Sequence, residues 1–180
     1  MRKPRFEGWY FKHQANGKSL ALIPGRAEDK AFIQIVTDKT AHIVPFPLSQ
    51  YSRKGDVLTI GENKFSPRGL RLNIATPDIS LSGKISYGAL TPLKSDIMGP
   101  FRFFPMECTH GVVSMGHDIR GNVQLNDVGM SLDGGRGYIE SDSGTSFPSG
   151  YTWVHCNDFG KRNCSIMVAV ARIPFCGAKF

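Results

Sequence analysis

The segments LRLNI (residues 70–74) and ISLSGKI (residues 79–85) alternate apolar and polar side chains. A period of two residues places the apolar side chains on one face of an extended strand, whereas a helix needs a period near 3.6. Similar segments recur at short intervals along the whole chain, at residues 19–23, 31–37, 41–46, 56–60, 111–115, 122–126, 136–140, 151–157 and 163–172. The sequence therefore predicts a protein built from half-buried strands.

Turn-forming residues separate these segments and indicate how they connect. Asn16-Gly17, KGD at 54–56, SPRG at 66–69 and DGG at 133–135 are typical of tight hairpins rather than of helical crossovers. Residues 26–44 lack glycine and proline, but TDKT at 37–40 interrupts them like a turn. We predict an all-β fold, an antiparallel meander that forms a barrel or a sandwich, in one domain over residues 1–180.

Composition excludes several classes of protein. Apolar residues make up 41% and charged residues 21% of the 180, which is ordinary globular usage rather than that of a disordered chain. The longest apolar run, residues 166–171, is far shorter than the roughly 20 residues of a membrane-spanning helix. The 4 cysteines form no Cys-x-x-Cys pair, and no apolar segment follows the basic N-terminus. We expect reduced thiols and a cytoplasmic protein.

The net charge of the chain and its last predicted strand indicate which partners the protein could bind. The 22 Lys and Arg exceed the 15 Asp and Glu, giving a net charge of +7, which is compatible with peripheral contact with a membrane. The cations are scattered singly and no RNP-like strand motif occurs, so we expect no nucleic acid partner. Residues 165–170 are apolar on both faces, as in a central strand, although the chain stops soon afterwards. A homodimer through this strand is one arrangement that would supply the outer neighbour.

The segment FEGWYFK (residues 6–12) places a carboxyl group beside aromatic rings. If the segment is extended, Glu7, Trp9 and Phe11 share one face. Burial of that face would raise the pKa of Glu7 and leave a neutral acid, whereas exposure would pair Glu7 with a nearby cation. The alternative is a purely structural role, in which an aromatic first strand closes the core.

Residues 101–118 combine aromatic side chains with titratable groups. The spacing of Glu107, His110 and His117 matches no known metal-binding pattern, so we predict no metal site. The histidines are either hydrogen-bonded within a partly polar β core or acid–base groups at the mouth of a cavity.

The longest signature covers residues 134–157, as strand, polar loop and strand. No lysine follows the glycines in the position of a phosphate-binding loop, so nucleotide binding is not predicted. Tyr138 and Glu140 share a face of the first strand, and Tyr151, Trp153 and His155 share a face of the second. A hairpin of the two strands would line a pocket with aromatic rings, an acid and an imidazole. The alternative is a packed β core with a solvated acid.

Several of these segments together resemble the tocopherol cyclase family and its bacterial relatives. The resemblance rests on FEGWYFK (6–12), PMECxH (105–110), SMxH (114–117), GRGYIE (135–140), SFP (146–148) and WxxCN (153–157). It spans nearly the entire chain and implies a calycin-like, lipocalin-related β architecture around an apolar cavity. Full-length relatives continue past Phe180, so the chain corresponds mainly to their N-terminal part.

The resemblance also implies a reaction. An intramolecular lyase or isomerase of this kind needs no cofactor and no metal. It protonates the alkene of a prenylated quinol, and the phenol oxygen captures the carbocation to close a ring. Here Glu140 or Glu107 is the expected proton donor, and His110 or His155 accepts the phenolic proton.

Further residues of the chain are expected to bind the substrate, and they are Trp9, Glu7, Tyr138, Tyr151, Trp153 and His117. The alternative function is that of a carrier, without catalysis, of an apolar ligand such as a prenylquinol, another isoprenoid or a lipid.

Overall fold

Antiparallel pairing of chain neighbours builds most of this protein, whose computed structural model describes residues 5–160 and 164–172. The strands are β1 (Phe6–Ala15), β2 (Lys18–Ala27), β3 (Lys30–Thr37), β4 (Ala41–Pro47), β5 (Tyr51–Lys54), β6 (Val57–Ile60), β7 (Asn63–Ser66), β8 (Gly69–Ala75), β9 (Ser80–Tyr87), β10 (Cys108–Leu125), β11 (Val128–Ser131), β12 (Gly135–Gly144), β13 (Tyr151–Cys156) and β14 (Ile166–Ala171). Short 3-10 helices occupy Leu48–Gln50 and Gly99–Phe103. Within the described ranges no helix has the length and apolarity needed to cross a membrane.

Strands β1 to β12 form one large sheet in the order β4-β3-β2-β1-β12-β10-β9-β8-β7-β6-β5, with β11 paired to β10. The predicted all-β antiparallel meander is thus confirmed. Every predicted segment overlaps a strand, with some bounds one to three residues too wide, and residue 163 is outside the described residues. The sequence missed β5, β7 and β11, three strands of four residues each. Residues 111–115 and 122–126, predicted as separate strands, belong to the single long β10.

The sheet curls so that its end strand β5 faces β1 and β2, which lie within the sheet. Arg53 of β5 donates a hydrogen bond to Glu7 of β1 and lies 5.4 Å over the ring of Trp9. In the same region Arg26 of β2 lies 5.8 Å over the ring of Tyr51. Contacts between side chains therefore hold the end strand β5 against β1 and β2.

Alternate side chains of the sheet fill the inside of this curl. Phe11, which is fully buried, packs against Phe65 with ring centroids 5.7 Å apart. The largest fully buried side chains around these two are Leu20, Leu22, Ile33, Ile35, Ile60, Leu81, Ile85, Ile119 and Leu132. We call this the core face of the sheet, and the interior is packed by these side chains.

Strands β13 and β14 pair with each other in a separate two-stranded sheet. The predicted hairpin between residues 136–140 and 151–157 is therefore wrong in its pairing, because β1 and β10 occupy the two edges of β12. Instead, β13 lies across the other face of the large sheet. Trp153 contacts Tyr10 at 5.5 Å between ring centroids, and His155 stacks on Tyr138 at 3.7 Å.

Strand β10 is irregular where it crosses the middle of β12. Between Val112 and His117 it advances by five residues, whereas β12 advances by only three, from Glu140 to Gly137. The register shifts twice in this stretch, once on each side of Ser114. The shifts turn Ser114 to the core face, where its Oγ lies 3.0 Å from Nδ1 of His117.

Candidate functional site

A cavity of about 750 Å³ lies between the large sheet and the β13–β14 pair. Its walls come from β1, β2, β3, β10 and β12, from the segment around the second 3-10 helix, and from β13 and β14. Most of the lining side chains are apolar. One wall is polar, and it carries Cys108, His110, Glu140 and Asp142. We call the side of the sheet that borders this cavity the cavity face.

Glu140 is the buried acid of the polar wall, with 6% of the residue exposed. Its Oε2 accepts hydrogen bonds from the hydroxyl of Tyr138 at 2.5 Å and from Nε1 of Trp153 at 3.1 Å. Burial raises the pKa of Glu140, and the bond from Tyr138 and the charge of His110 only partly oppose this. Oε1 has no hydrogen-bond partner among the described residues. The carboxyl group can therefore hold a proton on the oxygen that is free.

His110 bridges two carboxyl groups on the same wall. Its Nδ1 lies 2.7 Å from Oδ1 of Asp142, and its Nε2 lies 3.5 Å from Oε2 of Glu140. Burial lowers the pKa of His110, but the hydrogen bond and charge of Asp142, together with Glu140, more than offset it, so the pKa is raised. The arrangement follows from register, because His110 lies opposite Asp142 across the β10–β12 pair.

Aromatic rings surround the acid. The ring centroids of Tyr138 and Trp153 are 6.2 Å apart, and those of Tyr10 and Tyr138 are 6.3 Å apart. Burial and the nearby Glu140 raise the pKa of Tyr10 to about 12, so its phenol stays neutral. Neutral ring faces next to a proton donor are suited to stabilising a positive charge that develops on a ligand.

His155 lies beside this group without bordering the cavity. Its ring stacks on Tyr138, and its Nδ1 is 3.3 Å from Nζ of Lys12. Burial and the charge of Lys12 lower the pKa of His155 to about 4. It is therefore a neutral imidazole at ordinary pH, whereas the pKa of His110 is shifted upward.

Other residues that the sequence singled out lie elsewhere. Glu7 and Trp9 are among the residues that border the cavity, but their side-chain contacts are on the core face. The sequence left two alternatives for Glu7, namely burial as a neutral acid or exposure with a cation as partner. The structure combines parts of both, because Glu7 is buried and forms ion pairs with Arg53 and Arg26. The aromatic first strand thus closes the core, which was the structural alternative.

His117 is also on the core face, where its ring lies 4.5 Å from that of Tyr87. Burial and the charge of Arg136 lower its pKa to about 4. Glu107 precedes β10 and is not among the residues that line the cavity, although its carbonyl accepts a hydrogen bond from Thr145 N at 2.8 Å. Tyr151 does border the cavity, at its exposed mouth.

The sequence missed two residues of the polar wall. Asp142 follows Glu140 by two positions and therefore shares its face of the strand. The alternation of the strand could thus have predicted that Asp142 lies beside Glu140. Cys108 lies opposite Gly144 through the pairing of β10 with β12, which no local pattern reveals. Its Sγ is 3.8 Å from Oδ1 of Asp142, and burial raises the pKa of the thiol to about 12.

The polar wall also offers a set of metal ligands. Ligand atoms of His110, Glu140 and Asp142 lie within 4.8 Å of one another. Nδ1 of His110 is already bonded to Asp142, and Oε2 of Glu140 already accepts bonds from Tyr138 and Trp153. Nε2 of His110 and Oε1 of Glu140 have no hydrogen-bond partner among the described residues, so these two atoms are open either to a proton or to a cation.

Comparison with known proteins finds similarity in structure alone. No family model and no curated protein matches the chain. An AttH protein assigned in Nitrosomonas europaea shares the fold with a TM-score of 0.60 at 13% identity, and the likeness covers 98% of this chain and 67% of that one. Kievitone hydratase from Nectria haematococca matches with a TM-score of 0.50 at 13% identity, over 94% of this chain and 61% of the hydratase.

A third structure, CghA with Sch210972, matches with a TM-score of 0.50 at 8% identity, over 92% of this chain and 57% of CghA. The chain thus spans about three fifths of the length of the last two proteins. These likenesses establish a shared lipocalin-like β fold. They show the fold alone, and the resemblance to tocopherol cyclases remains a prediction.

Proposed function

We propose that this protein protonates a carbon–carbon double bond of a prenylated or terpenoid ligand held in the cavity. One observation carries the proposal: a buried carboxyl group with a raised pKa, Glu140, lies in the wall of an apolar cavity with one oxygen free. A carboxylic acid that stays neutral near pH 7 is the group that such a proton transfer requires.

The proposed reaction begins with transfer of the proton from Oε1 of Glu140 to the alkene. The new C–H bond leaves a tertiary carbocation, which the ring faces of Tyr10 and Trp153 stabilise. The carboxylate left on Glu140 keeps its hydrogen bonds from Tyr138 and Trp153 and gains the attraction of protonated His110. The charge that forms on the protein is therefore compensated where it forms.

An oxygen nucleophile of the ligand then bonds to the cationic carbon and loses its proton. His110 gives its Nε2 proton to Glu140 and takes the proton of the nucleophile, so the acid is restored, and the net change is an isomerisation when the nucleophile belongs to the same molecule. If the nucleophile is a phenol of the same molecule, a ring closes. If it is water, the product is a hydrate. Kievitone hydratase, a protein of similar fold, is named for a reaction of this second kind.

Carriage of an apolar ligand without chemistry is the second candidate. The size of the cavity and its mainly apolar walls favour it as much as they favour catalysis. The two functions differ in turnover, because a carrier returns its ligand unchanged.

The test is incubation of the purified protein with a prenylquinol, followed by mass spectrometry and chromatography. We expect a product of unchanged mass and altered retention. Glu140→Gln should lower turnover by about 10²- to 10⁴-fold, because an amide accepts the bond from Tyr138 but has no acidic proton to give. Binding of the prenylquinol should persist.

Glu62→Gln is the matched control, since Glu62 is exposed and does not border the cavity. Its turnover should equal that of the unaltered protein. Unchanged turnover in Glu140→Gln would remove Glu140 from the mechanism, and binding without any product would favour the carrier.

A further inference from the structure

We propose that the mouth of the cavity docks on the surface of an anionic lipid bilayer, so that the ligand enters from the lipid. This inference rests on the proposed function only in taking the ligand to be apolar. The structural argument concerns the exposed side chains around the mouth.

Residues at the mouth both border the cavity and face solvent. Phe147, Val168 and Tyr151 do so, and Tyr151 is 61% exposed. The ring of Phe147 lies 6.0 Å from that of Tyr151 and stacks on Phe6 at 4.6 Å. The apolar lining therefore continues outward to the surface without a polar collar between them.

The second 3-10 helix extends this apolar rim. Phe103 and Phe104, at its end, are 80% and 61% exposed. The ring of Phe104 lies 6.2 Å from that of Phe101, which borders the cavity. Exposed aromatic side chains grouped at one opening mark an interaction surface, and phenylalanine on a short exposed turn suits insertion at the boundary of head groups and acyl chains.

Cations accompany the rim. Arg102 lies 5.2 Å over the ring of Phe103, although it also pairs with Asp96 at 3.5 Å. Arg5 precedes Phe6, and the backbone N–H of Arg172 donates to Gly150, next to Tyr151. In the part of the chain that the structure describes, Arg5 and Arg172 form no ion pair. Both are exposed and placed to meet lipid phosphates.

This combination favours a bilayer over a protein partner. The apolar side chains ring an opening instead of forming a flat face, and the opening leads to a cavity for an apolar molecule. Such a molecule dissolves in a bilayer far better than in water, so docking at the mouth lets it pass from lipid to cavity without crossing the solvent.

The test is flotation with phosphatidylcholine vesicles, with and without phosphatidylglycerol, in the absence of substrate. We expect binding that increases with phosphatidylglycerol. The double variant Phe103→Ser with Phe104→Ser should weaken binding at least about tenfold. Val128→Ser is the matched control, because Val128 is 60% exposed on β11 and does not border the cavity, and its binding should be unchanged.

The double variant Arg5→Ala with Arg172→Ala should weaken binding to the anionic vesicles by about fivefold for each cation removed, and leave binding to phosphatidylcholine unchanged. Lys64→Ala on β7 is its control. No vesicle binding, or binding that the phenylalanine variant retains, would overturn the docking surface. A dimer in sedimentation that this variant converts to monomer, without vesicle binding, would overturn it in favour of a second copy.

Turnover of a prenylquinol in detergent micelles separates this inference from the proposed function. The phenylalanine variant should keep micellar turnover while losing vesicle binding. Turnover without vesicle binding in the unaltered protein would overturn docking alone, whereas vesicle binding without turnover would contradict the proposed function alone.

Discussion

Strand β10 contributes to a buried polar cluster on each face of the large sheet, with β1 and β9 on the core face and with β12 and β13 on the cavity face. The core-face cluster consists of His13, Tyr87, Ser114 and His117, with Nε2 of His13 2.7 Å from the hydroxyl of Tyr87. The cavity-face cluster consists of His110, Tyr138, Glu140, Asp142 and Trp153. Both clusters contain imidazole and phenol groups, yet only the second borders a cavity.

The two clusters differ in their carboxyl groups. Burial and, to a smaller extent, the charge of His117 lower the pKa of His13 to about 4, whereas the contact with Asp142 raises the pKa of His110 despite its burial. The core-face imidazoles are therefore neutral at ordinary pH, whereas His110 is the imidazole whose pKa is raised beside an acid. A buried histidine becomes a candidate for chemistry only when a carboxyl group and an opening accompany it.

Acid should destabilise the protein in part through the two core-face histidines. The folded pKa values of His13 and His117, about 4, lie below the ordinary value of 6.5. As the pH falls from about 6.5, the unfolded chain binds protons that the folded chain refuses, so each histidine costs up to about 3 kcal/mol of stability by pH 4. Urea denaturation across this range measures the loss.

His117→Asn should reduce that acid-side loss, while the same change at His42, on the end strand β4, should not. His110 has the opposite sign. Its raised pKa adds stability that is present below pH 6.5 and disappears as the pH rises through the folded pKa. If His117→Asn and the unaltered protein lost the same stability at low pH, the difference drawn here between the core-face and cavity-face histidines would be wrong.

Asp142→Asn should convert the cavity-face histidine into one like those of the core. Without the negative charge, burial dominates and the pKa of His110 falls, so the proton relay to Glu140 fails. We expect turnover to drop by about 100-fold, or about 2.7 kcal/mol, with a much smaller change in stability. Asp118→Asn is the control, since Asp118 is exposed and outside the cavity. Full activity in Asp142→Asn would exclude the relay.

Added methyl groups should distinguish the packing of the two faces. A Cβ at Gly137 would lie 2.3 Å from Nε2 of His117, whereas a Cβ at Gly8, on the cavity face, would have no atom within 4 Å. Gly137→Ala should cost about 2 kcal/mol of stability and Gly8→Ala almost nothing. Thermal unfolding of the two variants provides the measurement. Similar melting temperatures would mean that the core-face cluster yields without strain.

The smallest expected effects come from removing one hydroxyl on each face. Tyr87→Phe removes the hydroxyl that is bonded to Nε2 of His13 and should lower stability by about 1 kcal/mol, with turnover unchanged. Tyr138→Phe removes a donor that lowers the pKa of Glu140, so turnover should extend to higher pH. Urea denaturation and pH–rate profiles separate the two outcomes, and an unshifted profile in Tyr138→Phe would contradict the assigned bond.

The sequence predicts what is local in this comparison. Alternation identified the strands, and it placed Glu7, Trp9 and Phe11 together on a face that is buried. It also placed Tyr138 and Glu140 on one face, where they are hydrogen-bonded. These predictions depend only on the period of two residues.

The sequence does not predict which strands become neighbours. His110 reaches Glu140 because β10 pairs with β12, across residues that are far apart in the chain. The ion pairs that take Glu7 out of acid chemistry likewise come from the curl of the sheet. Long-range register and closure, rather than residue type, decide which carboxyl group is free.

The irregular stretch of β10 has a consequence for how this chain tolerates insertions and deletions. Its extra residues number two, an even count, and so the alternation of inside and outside is restored before His117. Losing a single residue there would reverse the orientation of every β10 side chain on one side of the gap, moving either His110 or His117 to the wrong surface. Losing both would merely straighten the strand, so length changes here should survive in pairs.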